Sequence, residues 1–135
     1  MSGEKNLAAL LSNMKPVLNP GEFVFCCVSS LEDIDLRELI CFFRESEGIT
    51  LVVSKGYAER ISLPFSFVAA WITLQIHSSL EALGFTAAFS RALTIGGIGC
   101  NVIAAYCHDH IFVNKTDAQK AMEILEGLSG TSSVN

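Results

Sequence analysis

An α+β fold, with an antiparallel sheet carrying its helices on one face, is what this 135-residue sequence predicts. Three observations lead there. Residues 67–128 read in the order strand, helix, strand, strand, helix. A shortened version of the same order precedes them. The tetrapeptide "SSLE" stands at the same point of both halves, as Ser29–Glu32 and Ser78–Glu81, each time just after a strand-like run. The repetition is one of architecture rather than of residue identity, and the first half is the degenerate copy.

In that first half, "NLAALLSNM" spaces its apolar residues for a short amphipathic helix, which Pro16 stops. "NPGE" reads as a turn. "FVFCCVS" is β-branched and aromatic and too short for an ordinary helix, so it is a strand. "LRELICFFRES" has helical character. A Gly between two apolar runs, at Glu47-Gly48, nevertheless favours a hairpin over about 39–45 and 49–54. "GYAERISL" is a short helix ended by Pro64.

The second half is plainer. "FVAAWITLQIH" alternates Ile72, Leu74 and Ile76 with Trp71, Thr73 and Gln75, the period of a half-buried strand. Ser78 and Glu81 have capping-box spacing and predict a helix from Leu80 to Gly96-Gly97, with Leu80, Phe85, Phe89 and Leu93 along one stripe. "IGCNVIAAY" and "HIFVN" are strands joined across "CHDH". Asn114 caps a final helix that buries Ala118, Ala121, Met122, Leu125 and Leu128. The order is the split βαβ of ferredoxin-like folds. The expected division is a degenerate unit at 1–66, a fuller one at 67–128 and a polar, flexible tail at 129–135. The second unit lacks a last strand: it stays incomplete, or the first unit or another subunit supplies the edge. The strand at 67–77 is placed to serve both units.

Hydrophobic content of 50% against 17% charged residues gives enough apolar surface for a packed core. The apolar stretches break before the roughly eighteen residues a membrane span needs, and the start resembles no secretory leader. A net charge of −5 without any Lys/Arg cluster argues against nucleic-acid partners. Five Cys without CxxC spacing fit a reducing, cytoplasmic setting. "YCHDHIF" puts His108 and His110 on one face of a strand, but four ligands for a structural metal do not assemble, so no metal or cofactor is expected. Cys107 and His108 are neighbours that point to opposite faces, which disfavours a thiolate–imidazolium pair. "LEDIDLRE" reads as a solvated loop rather than an acid/base dyad, and Trp71 as core.

The stretch Trp71–Leu125, with "ITLQIHSSLEALGFTAA", "GIGCNVIAAY" and "HDHIFV", resembles the ACT domain, and "RESEGITLVV" resembles a weaker copy of it. More particularly it resembles a small bacterial family of tandem ACT-like proteins, and it is similar to the ACT modules of the cytosolic arginine sensor of animals. The resemblance implies a non-enzymatic regulatory module that binds an amino acid or a related small ligand where the first strand turns into the first helix. The family's acidic-x-x-Gly turn falls on Glu81-Ala82-Leu83-Gly84, and the entry to its second strand on Gly97-Ile98 with Cys100-Asn101-Val102. The customary Asp-x-Pro-Gly is absent: a Glu replaces the Asp and there is no Pro.

The candidate ligand residues are Ser78, Ser79, Glu81, Leu83, Gly84, Phe85, Thr86, Asn101, Val102 and Asp109. A helix N-terminus with serine hydroxyls suits a carboxylate. Asn101 offers both donor and acceptor, while Asp109 and Glu81 suit an ammonium. Simple helix capping explains Ser78, Ser79 and Glu81 equally well, and close packing explains Gly84. The expected partners are an amino acid, a second copy in a two-fold dimer and a regulated protein, with no nucleic acid and no membrane. The alternative is a structural or interaction module that keeps the fold without a ligand.

Overall fold

The structure, a computed structural model, describes residues 6–76 and 83–134, with side chains through Ser129. It contains two compact units, one formed by Met1–Asn19 with Ala70–Asn135, the other by Pro20–Ala69. Both are α+β and ferredoxin-like.

The discontinuous unit begins with α1 (Leu7–Asn13), where Asn6 Oδ1 accepts from Ala9 N–H at 3.0 Å. Strand β1 (Lys15–Val28) follows at once, because Pro16 cannot continue the helix. Its first residues lie beside β4 (Val68–Gln75): Asn19 Nδ2 donates to Trp71 O at 3.2 Å and to Thr73 Oγ1 at 2.9 Å. The expected alternation of β4 holds on the core side, where Ile72 and Leu74 are fully buried. After residues 77–82, outside the described set, come α3 (Phe85–Ile95), β5 (Asn101–Ala104), β6 (Asp109–Asn114) and α4 (Ala118–Val134). Asn114 Oδ1 accepts from Thr116 N–H at 3.0 Å and opens a 3-10 turn that leads into α4. α4 takes in most of the polar stretch 129–135.

The strand order of this unit is β1–β4–β6–β5, with β5 and β6 antiparallel and Asn101 opposite Phe112, Ala104 opposite Asp109. The edge that the second sequence half lacks is therefore occupied by Lys15–Asn19 of the same chain. The core lies between sheet and helices and joins Leu10, Met14, Ile72, Leu74, Phe85, Phe89, Leu93, Ile111, Val113, Ala121 and Leu125.

The contiguous unit continues β1 from Pro20 and adds β2 (Leu39–Arg44), β3 (Ile49–Ser54) and α2 (Lys55–Arg60). Its order is β2–β3–β1–β4, in which β4 contributes Val68 and Ala69. The hairpin expected at Gly48 is present, with Arg44 opposite Ile49 and Phe42 opposite Leu51. Ser54 Oγ caps α2 by accepting from Tyr57 N–H, and Tyr57 Oη accepts from Asp35 N–H at 2.8 Å. Val24, Cys26, Leu51, Val53, Tyr57 and Ala58 form this unit's core. The first "SSLE" is a turn rather than a helix start, Ser30 Oγ accepting from Glu32 N–H at 3.0 Å. The second copy lies outside the described residues.

Two expectations are corrected. "NPGE" is not a turn: β1 runs through it, bending at Gly21 (φ +105°) where the chain passes from one unit to the other. The helix expected from Leu80, a residue outside the described set, does not run unbroken through Gly84. Gly84 is the N-cap of α3 in a left-handed conformation (φ +86°), which a helix interior forbids, and Leu83 before it is 84% exposed, while Phe85, Phe89 and Leu93 of the expected stripe are buried. The predicted end is correct. Gly97 at φ +80° lets Ile98 N–H reach Leu93 O and Gly97 N–H reach Thr94 O, both at 2.9 Å, while buried Leu93 and Ile98 join the same core. Among the described residues no helix is long and apolar enough to cross a membrane.

Candidate functional site

The end of the discontinuous unit at which β4 stops and β6 starts is where the sequence expects a ligand. His108 Nδ1 approaches Ile76 O at 3.4 Å, so the chain enters 77–82 right beside the first residue of β6, Asp109. It re-emerges at Leu83 and Gly84 to begin α3. Gly84 has no side chain to accept from the first amides of that helix, and the first intrahelical bond runs from Ala88 N–H to Gly84 O at 2.9 Å. The helix start therefore presents N–H groups and the positive end of its dipole.

Asp109 is the unusual residue here. Strand alternation turns it to the same side as Ile111 and Val113, toward the core, and it is only 7% exposed. Burial pushes its carboxyl above the ordinary carboxylate range, while the nearby His108 pulls it back down. Among the described residues no hydrogen-bond donor reaches that carboxylate. No fully buried side-chain oxygen among the described residues lacks a partner, so the Asp109 oxygens keep some contact with solvent, and partial desolvation is what disfavours the charged form.

The other expected residues are distributed as follows. Phe85 is buried and stacks edge-on with Phe89 at 5.1 Å, so its side chain is core, whereas Thr86 and Leu83 are exposed. Val102 is half-buried against the core on the helix side of β5. Asn101 is apart from these: it begins β5, three residues before Ala104 reaches Asp109, or about 10 Å along a strand. It lies opposite Phe112 on the helix-free face, and its Nδ2 donates to Phe112 O at 3.3 Å. Ser78, Ser79 and Glu81 lie outside the described residues. The structure places Asp109 beside the end of β4 and Asn101 about 10 Å further along β5, while Gly84, Phe85 and Thr86 open α3 after residues 77–82.

A second polar cluster, on the helix-free face, was not foreseen. Trp71 Nε1 donates to His110 Nδ1 at 3.0 Å, and Thr73 Oγ1 lies 3.1 Å from the same nitrogen while accepting from Asn19 Nδ2. The indole stacks on Phe112 at 6.1 Å and 19°. The signal was in the sequence as parity, since Trp71, Thr73, His110 and Phe112 all occupy the face that does not carry the core. Only the β4–β6 neighbourhood, 39 residues apart in the chain, reveals it.

Burial raises the thiol pKa of Cys26 and Cys41, and pushes Cys100 up to about 11. Such thiols are poor nucleophiles near neutral pH. Among the described residues no group of His, Cys, Asp and Glu side chains is disposed to hold a metal ion.

Family models for the ACT domain match residues 2–70 and residues 66–127. The chain belongs to the ACT-domain family. It is a tandem ACT protein, and a crystal structure from Vibrio cholerae described as a protein of unknown function and possible transport protein is 44% identical to it. That alignment covers 93% of this chain and 97% of the other, with a TM-score of 0.83. An Agobacterium tumefaciens protein is similar at 18% identity over 86% of this chain and 89% of its own, TM-score 0.63. The ligand-free regulatory subunit of aspartate kinase from Thermus thermophilus shares 7% identity over 87% of this chain and 98% of its own, TM-score 0.60. The last two likenesses concern the ACT fold alone. No curated protein sequence matches this tandem ACT chain.

Proposed function

We propose that this tandem ACT protein is a non-enzymatic sensor that binds a free amino acid where β4 gives way to α3. The observation that carries the proposal is Asp109, a largely buried carboxylate at the start of β6 whose charged form is disfavoured by desolvation. An α-ammonium beside it would offset that desolvation, and the amides that open α3 after Gly84 suit the α-carboxylate. Thr86, exposed in the first turn, and the segment that includes Ser78, Ser79 and Glu81 are the residues to contact the ligand's remaining groups. ACT modules are typically regulatory, and likeness to an aspartate kinase regulatory subunit supports a module of that kind.

The test is a thermal-shift screen of free amino acids on the untagged chain, repeated with Asp109→Asn. At least one amino acid raises the melting temperature of the parent, and the variant loses that shift. A full panel without a shift, or an unchanged shift in the variant, overturns the proposal.

The second reading, an interaction module without a ligand, draws on β2, the outer strand of the contiguous unit, where Phe43 is 71% exposed. An outer strand offers unpaired backbone groups to a neighbour. A two-fold dimer through such an edge belongs to the same proposal, and light scattering across a concentration series tests it.

A further inference from the structure

His110 is arranged so that its protonation state and the position of Trp71 are tied together. An indole N–H only donates, so Nδ1 of His110, 3.0 Å from Trp71 Nε1, carries no proton. The neutral ring therefore has its proton on Nε2. Thr73 Oγ1, already accepting from Asn19 Nδ2, turns its own hydrogen toward the same Nδ1 at 3.1 Å. One lone pair thus serves two donors from β4. A second proton on the ring consumes that lone pair and sets N–H against N–H. Thr73 can reverse its role, because a hydroxyl oxygen also accepts; Trp71 has no such option.

We propose that His110 is a proton-operated latch for the helix-free face of the β4–β6 pair: binding of a solvent proton at Nδ1 expels the Trp71 indole from its hydrogen bond and loosens its stack on Phe112. The stack measures 6.1 Å between ring centres at 19°, and Trp71 is half-buried, so the ring has solvent on one side into which to swing.

The surroundings set the direction of the titration. Burial lowers the His110 pKa below its usual value, and His108, two residues earlier on the same strand face, lowers it further when charged. The other strands packed beside it add little charge. β4 and β5 carry no Asp, Glu, Lys or Arg; β1 contributes Lys15 at its far end and Glu22, which lies past Gly21 in the other unit and interacts with Lys55, and Asp109 points to the opposite face of β6. Among the described residues no carboxylate on this face offsets the imidazolium. The latch is closed near neutral pH and opens in mildly acidic solution.

Trp71 is the single tryptophan of the chain, which makes the step visible. The emission of the intact protein is followed from about pH 8 to about pH 4.5, with far-UV circular dichroism recorded in parallel. The expected result is a one-proton transition in Trp71 emission with a midpoint below the ordinary histidine value, at constant circular dichroism. In His110→Gln the transition is absent, since the amide oxygen accepts from the indole at any pH. In His108→Gln it persists with its midpoint moved upward. A flat emission profile in the parent, or the same transition in His110→Gln, overturns the latch. So does a ring found protonated on Nδ1 at neutral pH by nitrogen NMR.

Discussion

Replacing Leu10 with Ala tests whether the first helix belongs to the core of the discontinuous unit. Leu10 is fully buried and shares its cluster with Ile72, Phe89, Leu93 and Leu125, residues of β4, α3 and α4. The substitution removes three carbons, about 0.8 kcal/mol each in transfer free energy, or roughly 2.4 kcal/mol. A residual cavity on the order of 50 Å3 adds about 1.2 kcal/mol at ~24 cal/mol per Å3, for a total of about 3.5 kcal/mol. In urea, with m on the order of 2 kcal/mol per M, the midpoint falls by about 1–2 M. Trp71 fluorescence is a suitable probe because β4 sits in the same unit. Leu7→Ala on the same helix is the control: Leu7 is 37% exposed, helix propensity changes identically, and the loss stays under about 1 kcal/mol. Equal losses in the two variants, or a Leu10→Ala midpoint within experimental error of the parent, refute the assignment of α1 to this core.

Gly97→Ala isolates a backbone effect, since an added Cβ meets nothing within 4 Å while φ is +80°; a loss of about 1–2 kcal/mol in urea melts is expected, and no loss contradicts the left-handed cap. Asp109→Asn stabilises the ligand-free protein at neutral pH. The sign follows from the raised pKa: between 3.8 and its folded value the native state binds more protons than the unfolded one, so native Asp109 grows more costly as pH rises through that window. Urea midpoints are expected to favour the variant at pH 7 and converge with the parent as the acid side of the window is reached; a variant less stable at pH 7 contradicts this. Iodoacetamide near neutral pH modifies exposed Cys27 and Cys107 before Cys26, Cys41 and Cys100, as read by peptide mass mapping.

Much of this fold was written in local signals. The alternation of Ile72 and Leu74, the hairpin at Gly48 and the Gly96-Gly97 stop each depend on residues close in sequence, and each is found as expected. β1 is different. Pro20 and Gly21 carry a turn signal, yet the strand continues because residues before them pair in one unit and residues after them in the other, a constraint no short window contains. The capping-box spacing of Ser78 and Glu81 lies outside the described residues, and within them α3 opens at Gly84, whose left-handed conformation no spacing argument signals. In the site, Asp109 was a candidate on chemistry alone. Its burial was implicit in the parity of "DHIFV", which puts it on the same side as Ile111 and Val113. The Trp71–His110 bond needed the pairing of strands far apart in the chain.

The division of one unit between residues 1–19 and 70–135 has a consequence for synthesis. A ribosome adding ~5–20 residues per second delivers Leu10 on the order of ten seconds before Leu125, one of the side chains it packs against. Through that interval an apolar helix waits without its companions, and closure depends on contacts distant along the chain, which are slow to form. Until Leu125 emerges, Leu10 is apolar surface that a chaperone can cover.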